Sequence, residues 1–289
     1  MGASHSFQQE GTLVASDHRT YADYAQAVGQ QLQSHLEKLR DHPFEESLLE
    51  AVLLYSFTIE GMEAKASNHV QVLKRVGVIL VALNDVLRGI LAAQQNLCPM
   101  ALATSARVAT ELAAKLRFIV TGPDPEKYSD RYWRHQQIEK LLHDQRKPKP
   151  RLTKAEVDSI LARCPEWIRK KSDGSHRLSD NWTAESQFDS LAKVAKAADM
   201  ADDDERLYSV TSKYVHGSPL MAHGYREGAS IGALGDPKRC KQMASLGALQ
   251  CMVALRVACE FFGIEWEANY RPWQARFLEV VDDIHTNPP

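Results

Sequence analysis

The sequence predicts an all-α protein, a multi-helix bundle of about ten helices. Three observations predict it. Apolar residues recur at three- and four-residue spacing along most of the chain. Helix start and stop signals bracket those stretches. No run of β-branched residues alternates over a useful length between turn signals. At 289 residues and 44% hydrophobic, the chain can bury a large core as one domain without disulfides or metal.

The elements follow in order. Tyr21, Tyr24, Val28, Leu32, Leu36 and Leu39 form one apolar stripe, with Asp17 as a cap and Asp41-His42-Pro43 as the stop. Helices are expected over 44–65 and 70–95, the second apolar on most sides and therefore central. Pro99 suits the first turn of a fourth helix and Gly122-Pro123 its end. A polar-rich helix over 128–145 ends before Lys147-Pro148-Lys149-Pro150, an extended break. Thr153-Lys154-Ala155-Glu156 is a capping box for a short helix to Arg163. Ser172-Asp173-Gly174-Ser175 is turn chemistry, and a further helix is expected over 183–198. Asp202-Asp203-Asp204-Glu205 places negative charge at the start of a helix that carries Tyr208 to His216 and stops at Gly217-Ser218-Pro219. After a glycine-rich loop, Asp236-Pro237 opens a long apolar helix closed by Gly263. Pro272 is expected to begin the last helix.

Composition narrows the function classes. The N-terminal segment lacks the basic and apolar parts of a signal peptide. The longest uninterrupted apolar run, 76–83, is too short to span a bilayer. Five cysteines without a C-x-x-C pair read as free thiols in a reducing, cytoplasmic setting with no membrane contact. The net charge of −2 conceals an asymmetry, since residues 127–177 carry a local +7 and the remainder −9. This basic middle can form a subdomain or insertion, and it suits RNA or another anionic ligand. Its candidate contacts are Arg131, Arg134, Lys147, Lys149 and Arg151. Interleaved Tyr128, Tyr132, Trp133, Trp167 and Trp182 could stack on bases, although Trp133 and Trp167 read better as core anchors.

Two blocks could carry chemistry. Arg107 and Glu111 are four apart on a small, apolar helix, which suits either a site or a structural ion pair. In the block Tyr208 to Pro219, His216 sits at a helix C-terminus, where the dipole favours its charged form, with Tyr214 two positions before it. The candidate catalytic set is thus Arg107, Glu111, Tyr214 and His216. No phosphate loop, no His-Glu-x-x-His and no metal-ligand spacing is present, so neither cofactor nor metal is expected.

The Arg-x3-Glu helix with a downstream Tyr-x5-Tyr-x-His-Gly-Ser block resembles a family of all-helical bacterial proteins of unknown function, over roughly residues 80–255. That resemblance implies a helical fold. The chain more distantly resembles the HEPN superfamily of helical bundles, which includes metal-independent ribonuclease toxins marked by an arginine and a nearby histidine. Arg131 and His135 here have three residues between them, and Arg169 and His176 have six, interrupted by a turn. A nuclease site would then be assembled from separate helices. Two functions are expected. One is an RNA-directed toxin or defence effector, with His216 as general acid or base, Arg107 or Arg131 on the phosphate and Tyr214 positioning it. The other is a non-catalytic helical scaffold or sensor that binds a protein or small ligand. A homo-oligomer is compatible with both.

Overall fold

A computed structural model describes residues 42–65, 69–170, 176–200, 226–227, 230–231 and 235–286. Among them are eight α-helices: α1 (Pro43–Lys65), α2 (Val70–Gln95), α3 (Pro99–Thr121), α4 (Pro125–Gln145), α5 (Lys154–Arg163), α6 (Leu191–Ala197), α7 (Pro237–Phe262) and α8 (Glu267–Thr286). The all-α expectation holds. The expected helices over 21–39 and 208–216 lie outside the described residues.

Local chemistry explains the ends. Asp236 accepts from the Arg239 amide at 3.1 Å with Pro237 behind it, and Gly263 closes α7 at φ 68°, a left-handed conformation glycine adopts without strain. Thr153 and Glu156 exchange the two hydrogen bonds of a capping box at the start of α5. Asp124 caps α4 through the Lys127 amide, so that helix starts a turn earlier than expected, at Pro125.

The core is a bundle of α1, α2, α3, α7 and α8. Its most extensive contact joins α3 and α7. Both present small residues there, among them Ala103, Ala106, Ala109 and Ala113 on α3 and Ala244, Gly247 and Ala248 on α7, all buried. Gly247 permits the closest approach: a Cβ on it would stand 2.7 Å from Ile90 Cδ1 and 3.1 Å from the Ala106 Cα. By length and composition α2 and α7 could each cross a membrane. In this fold their apolar faces, including Leu83, Leu87 and Ile90 of α2, are buried in the bundle.

Three expectations are corrected. First, strands exist. β1 (Ile168–Lys170) pairs antiparallel with β2 (His176–Leu178), and β3 (Arg226–Glu227) with β4 (Ser230–Ile231). Strands of two or three residues are too short for alternation to register. Second, no helix spans 183–198. Asn181 Oδ1 accepts from the Thr183 amide and hydroxyl at 3.1 and 2.9 Å, which holds a tight turn, and only Leu191–Ala197 is α-helical. Third, α8 begins at Glu267 and contains Pro272. The aromatic row Trp266, Tyr270, Trp273 and Phe277 has helical spacing and packs ring on ring at 4.9–5.7 Å, which carries the helix through the proline.

A second, smaller apolar cluster of Ile138, Leu141, Ile160, Cys164 and Trp167 joins α4, α5 and the β1–β2 hairpin beside the bundle. All five cysteines are free thiols, as the spacing predicts, and only Cys98 is exposed.

Candidate functional site

The helix α4 places the site. Tyr128, His135, Ile138 and Leu141 fall on its buried side, while Tyr132, Trp133, Gln136 and Glu139 edge an open cleft of about 500 Å³. The opposite wall comes from Glu111 and Lys115 of α3, and the third from residues 180–182 and 188–191. Val78, Leu191 and Val194 supply apolar lining.

The third wall is held both by packing, with Trp182 and Phe188 edge to face on Phe118 at 5.6 and 4.7 Å, and by polar bonds. Trp167 Nε1 donates to the Asn181 carbonyl at 2.8 Å, and Asn181 Nδ2 donates to the Glu185 carbonyl at 2.8 Å. The Glu185 carboxylate accepts from Lys127 at 2.7 Å, from Gln187 at 2.9 Å, from the Tyr128 hydroxyl at 3.2 Å and from Arg131. Burial opposes ionisation of Glu185, but the hydrogen bonds from Lys127, Arg131 and Gln187 prevail and pull its pKa down to about 2. Arg131 also donates to the Thr183 carbonyl at 2.8 Å. The segment is thereby fixed to α4.

His135 is the notable group in the cleft. Its side chain is 8% exposed. Nδ1 lies 3.5 Å from Glu139 Oε1, Nε2 is closed off from solvent, and the Asp180 backbone acts on the ring as an acceptor that favours its charged form. Burial lowers the His135 pKa, and the Glu139 carboxylate only partly offsets this. The imidazole is therefore held neutral at neutral pH. Tyr132 is raised by burial first and then by Glu139 and Glu111, whose fields meet at its hydroxyl.

The residues proposed from sequence divide. Glu111 reaches the cleft and bonds Lys115 at 2.9 Å. Arg107 lies one turn earlier on α3, half-buried and engaged in interactions. Tyr214 and His216 lie outside the described residues. Arg131 and Arg134 do not present free charge to an anion. Arg131 is committed to Glu185, and Arg134 to Asp130 at 2.7 Å and Glu166 at 2.6 Å, lying over the Trp167 ring. Lys149 and Arg151 are exposed on the Pro-rich loop, while Lys147 stands 4.0 Å from Asp144. Asp144 clips that loop, accepting from the Arg151 and Leu152 amides at 2.9–3.1 Å, and those bonds lower its pKa.

Trp167 is a core anchor at 0% exposure, as expected, but Trp133 is 46% exposed at the cleft edge. Five positions beyond buried Tyr128, it falls well off the buried face of the helix. His135 was the residue that sequence reasoning passed over as a site. The available signal was its place on the buried face of α4, three before Ile138 and seven after Tyr128. Among the described residues no group of histidine, cysteine and carboxylate side chains could hold a metal ion.

No curated protein and no solved structure matches the chain. One family model does, over residues 76–230, more than half of the sequence, and every cleft residue named above falls inside that span. The chain therefore belongs to a family of unknown function, DUF5677.

Proposed function

We propose that the chain is a helical ligand-binding module, a sensor or scaffold, whose recognition site is the cleft bounded by α3, α4 and residues 180–191. One observation carries this reading: a cleft of about 500 Å³ has walls fixed from behind, while the exposed Trp133 and Glu139 side chains leave interaction capacity within it. A concave site with a few convergent polar groups among aromatic side chains is the usual form of a small-ligand pocket. The five free thiols support placing it in a reducing compartment such as the cytoplasm.

The test is a screen of small organic molecules by thermal shift and tryptophan fluorescence, on the full chain and on Trp133→Ala. Ligands that raise Tm in the parent should lose that effect in Trp133→Ala, whose own Tm should hardly move because the ring is exposed. If no compound binds, or if every hit is indifferent to Trp133→Ala, the reading fails.

An RNA-directed, metal-independent cleavage activity of the HEPN type is the second reading. The observation favouring it is a neutral, buried His135 near Glu139 with Lys115 on the facing wall, a base and a cation in one cleft. Against it, Arg131 and Arg134 are already bonded to carboxylates. An RNA cleavage assay with His135→Ala and His216→Ala decides it. Cleavage lost in either variant, with folding retained, would replace the binding reading with the enzymatic one.

A further inference from the structure

We propose that the ligand of this cleft is an organic cation, an amine or guanidinium on an apolar or aromatic body, seated between the Glu139 and Asp180 carboxylates and the face of Trp133. The inference rests on the cleft being the recognition site.

The charge balance is the first argument. The described lining carries four carboxylates, Glu111, Glu139, Asp180 and Asp189, against the single cation Lys115. Lys115 is bonded to Glu111 at 2.9 Å, and Asp189 is bonded to Lys193 at 2.8 Å. Glu139, with its side chain 68% exposed, and the exposed Asp180 remain without a cationic partner among the described residues. An anion entering here would meet two uncompensated carboxylates, whereas a cation would supply their missing counter-charge.

The second argument is independent of charge. Tyr132, Trp133, Trp182 and Phe188 line the same space, and Tyr132 meets Trp182 edge to face at 5.6 Å. The exposed Trp133 ring offers the best of the aromatic faces for a cation. Val78, Leu191 and Val194 suit an apolar body behind the charged group.

The third is His135. It is more than nine-tenths buried and lines the cleft, with Nδ1 3.5 Å from Glu139 Oε1. A neutral imidazole adds no positive charge to oppose an incoming cation.

Three probes share one body and differ in charge: phenethylamine, phenethyl alcohol and phenylacetate. Each is titrated into the full chain at neutral pH by calorimetry and tryptophan fluorescence. Phenethylamine should bind about tenfold more tightly than the alcohol, and phenylacetate least of all. The double variant Glu139→Gln, Asp180→Asn should remove the advantage of the amine and leave the alcohol unchanged. Both positions are exposed, and circular dichroism checks that the fold persists. An alcohol that binds as well as the amine, or a preference for phenylacetate, overturns the cation proposal while leaving a ligand-binding cleft in place. An amine advantage that survives the double variant overturns it also, because the charge preference would arise elsewhere. If none of the three binds, the proposal fails, and the Trp133→Ala screen separately decides whether the cleft reading falls with it.

Discussion

The bundle and the α4 side of the molecule are held together by different means. In the bundle, α3 and α7 meet through alanines and Gly247, and the aromatic row of α8 closes over Phe44 and Ser47 of α1. Around α4 the second apolar cluster is small, and residues 180–190 are fixed by the polar bonds of Glu185, Asn181 and Arg131 together with the rings of Trp182 and Phe188 on Phe118. Apolar packing tolerates no change of volume, while charged networks tolerate no loss of a partner. The cleft lies where the two regimes meet, with one wall on a bundle helix and two outside it.

The largest effect is expected from Trp273→Ala. The ring is 0% exposed and its Nε1 donates to the Ser47 carbonyl at 2.9 Å. Truncation should cost about 3–5 kcal/mol in urea unfolding. A cost under about 1 kcal/mol would show that α8 is not part of the cooperative core.

Gly247→Val tests the close approach from the other direction. Its Cβ has no room against Ile90 and the Ala106 backbone, so about 2–3 kcal/mol should be lost through overpacking. An unchanged urea midpoint would mean that α3 and α7 can separate freely.

Glu185→Gln addresses the charged side. Arg131, 16% exposed, would lose its carboxylate, and stability should fall by about 2 kcal/mol. The pH dependence gives a sharper sign. The folded-state pKa of Glu185 is about 2 against an ordinary 4.5, so its contribution is complete above pH 4.5 and is lost as pH falls toward 2. The variant should show a flatter stability curve across that window. If its acid limb matches the parent's, the carboxylate is not anchoring the segment.

The smallest effect is expected from Lys147→Gln, Lys149→Gln and Arg151→Gln combined. These side chains lie outside the cleft lining, so stability should move by no more than about 0.5 kcal/mol and amine binding not at all. The same variant should abolish any salt-sensitive RNA binding that runs through the loop. RNA binding that persists in it would remove the loop from consideration.

These contrasts also explain what could be read from the chain. Bundle helices announce themselves, because Pro99, Asp236-Pro237 and Gly263 are local signals that act within a turn of where they stand. The clasp around α4 does not. Arg131 finds Glu185 54 residues away, and Arg134 finds Glu166, so a count of charge along 127–177 could not reveal which arginines were already neutralised. Trp133 and His135 differ by two positions on one helix, yet one is half-exposed and the other buried. Only the depth of the neighbours on α4 separates them. Of the candidate site, Glu111 was legible, since a carboxylate on a small, apolar helix needs a reason to be there. Asp180 and Glu139 were not, because exposed acids are common and only the cavity between them gives them meaning.

The bond from Trp273 to the Ser47 carbonyl joins positions 226 residues apart. Arg276 reaches Glu50 across the same separation, and Phe277 stacks on Phe44 at 5.8 Å. This sets an order of events during synthesis. Until α8 has left the ribosome, Phe44 of α1 lacks its cover, and a nascent chain must keep that apolar face from other surfaces. Closing so long a loop is slow compared with forming any one helix. Refolding experiments should therefore show helix content returning well before the fluorescence of Trp273 reaches its native value, and chains released early should be clients of chaperones.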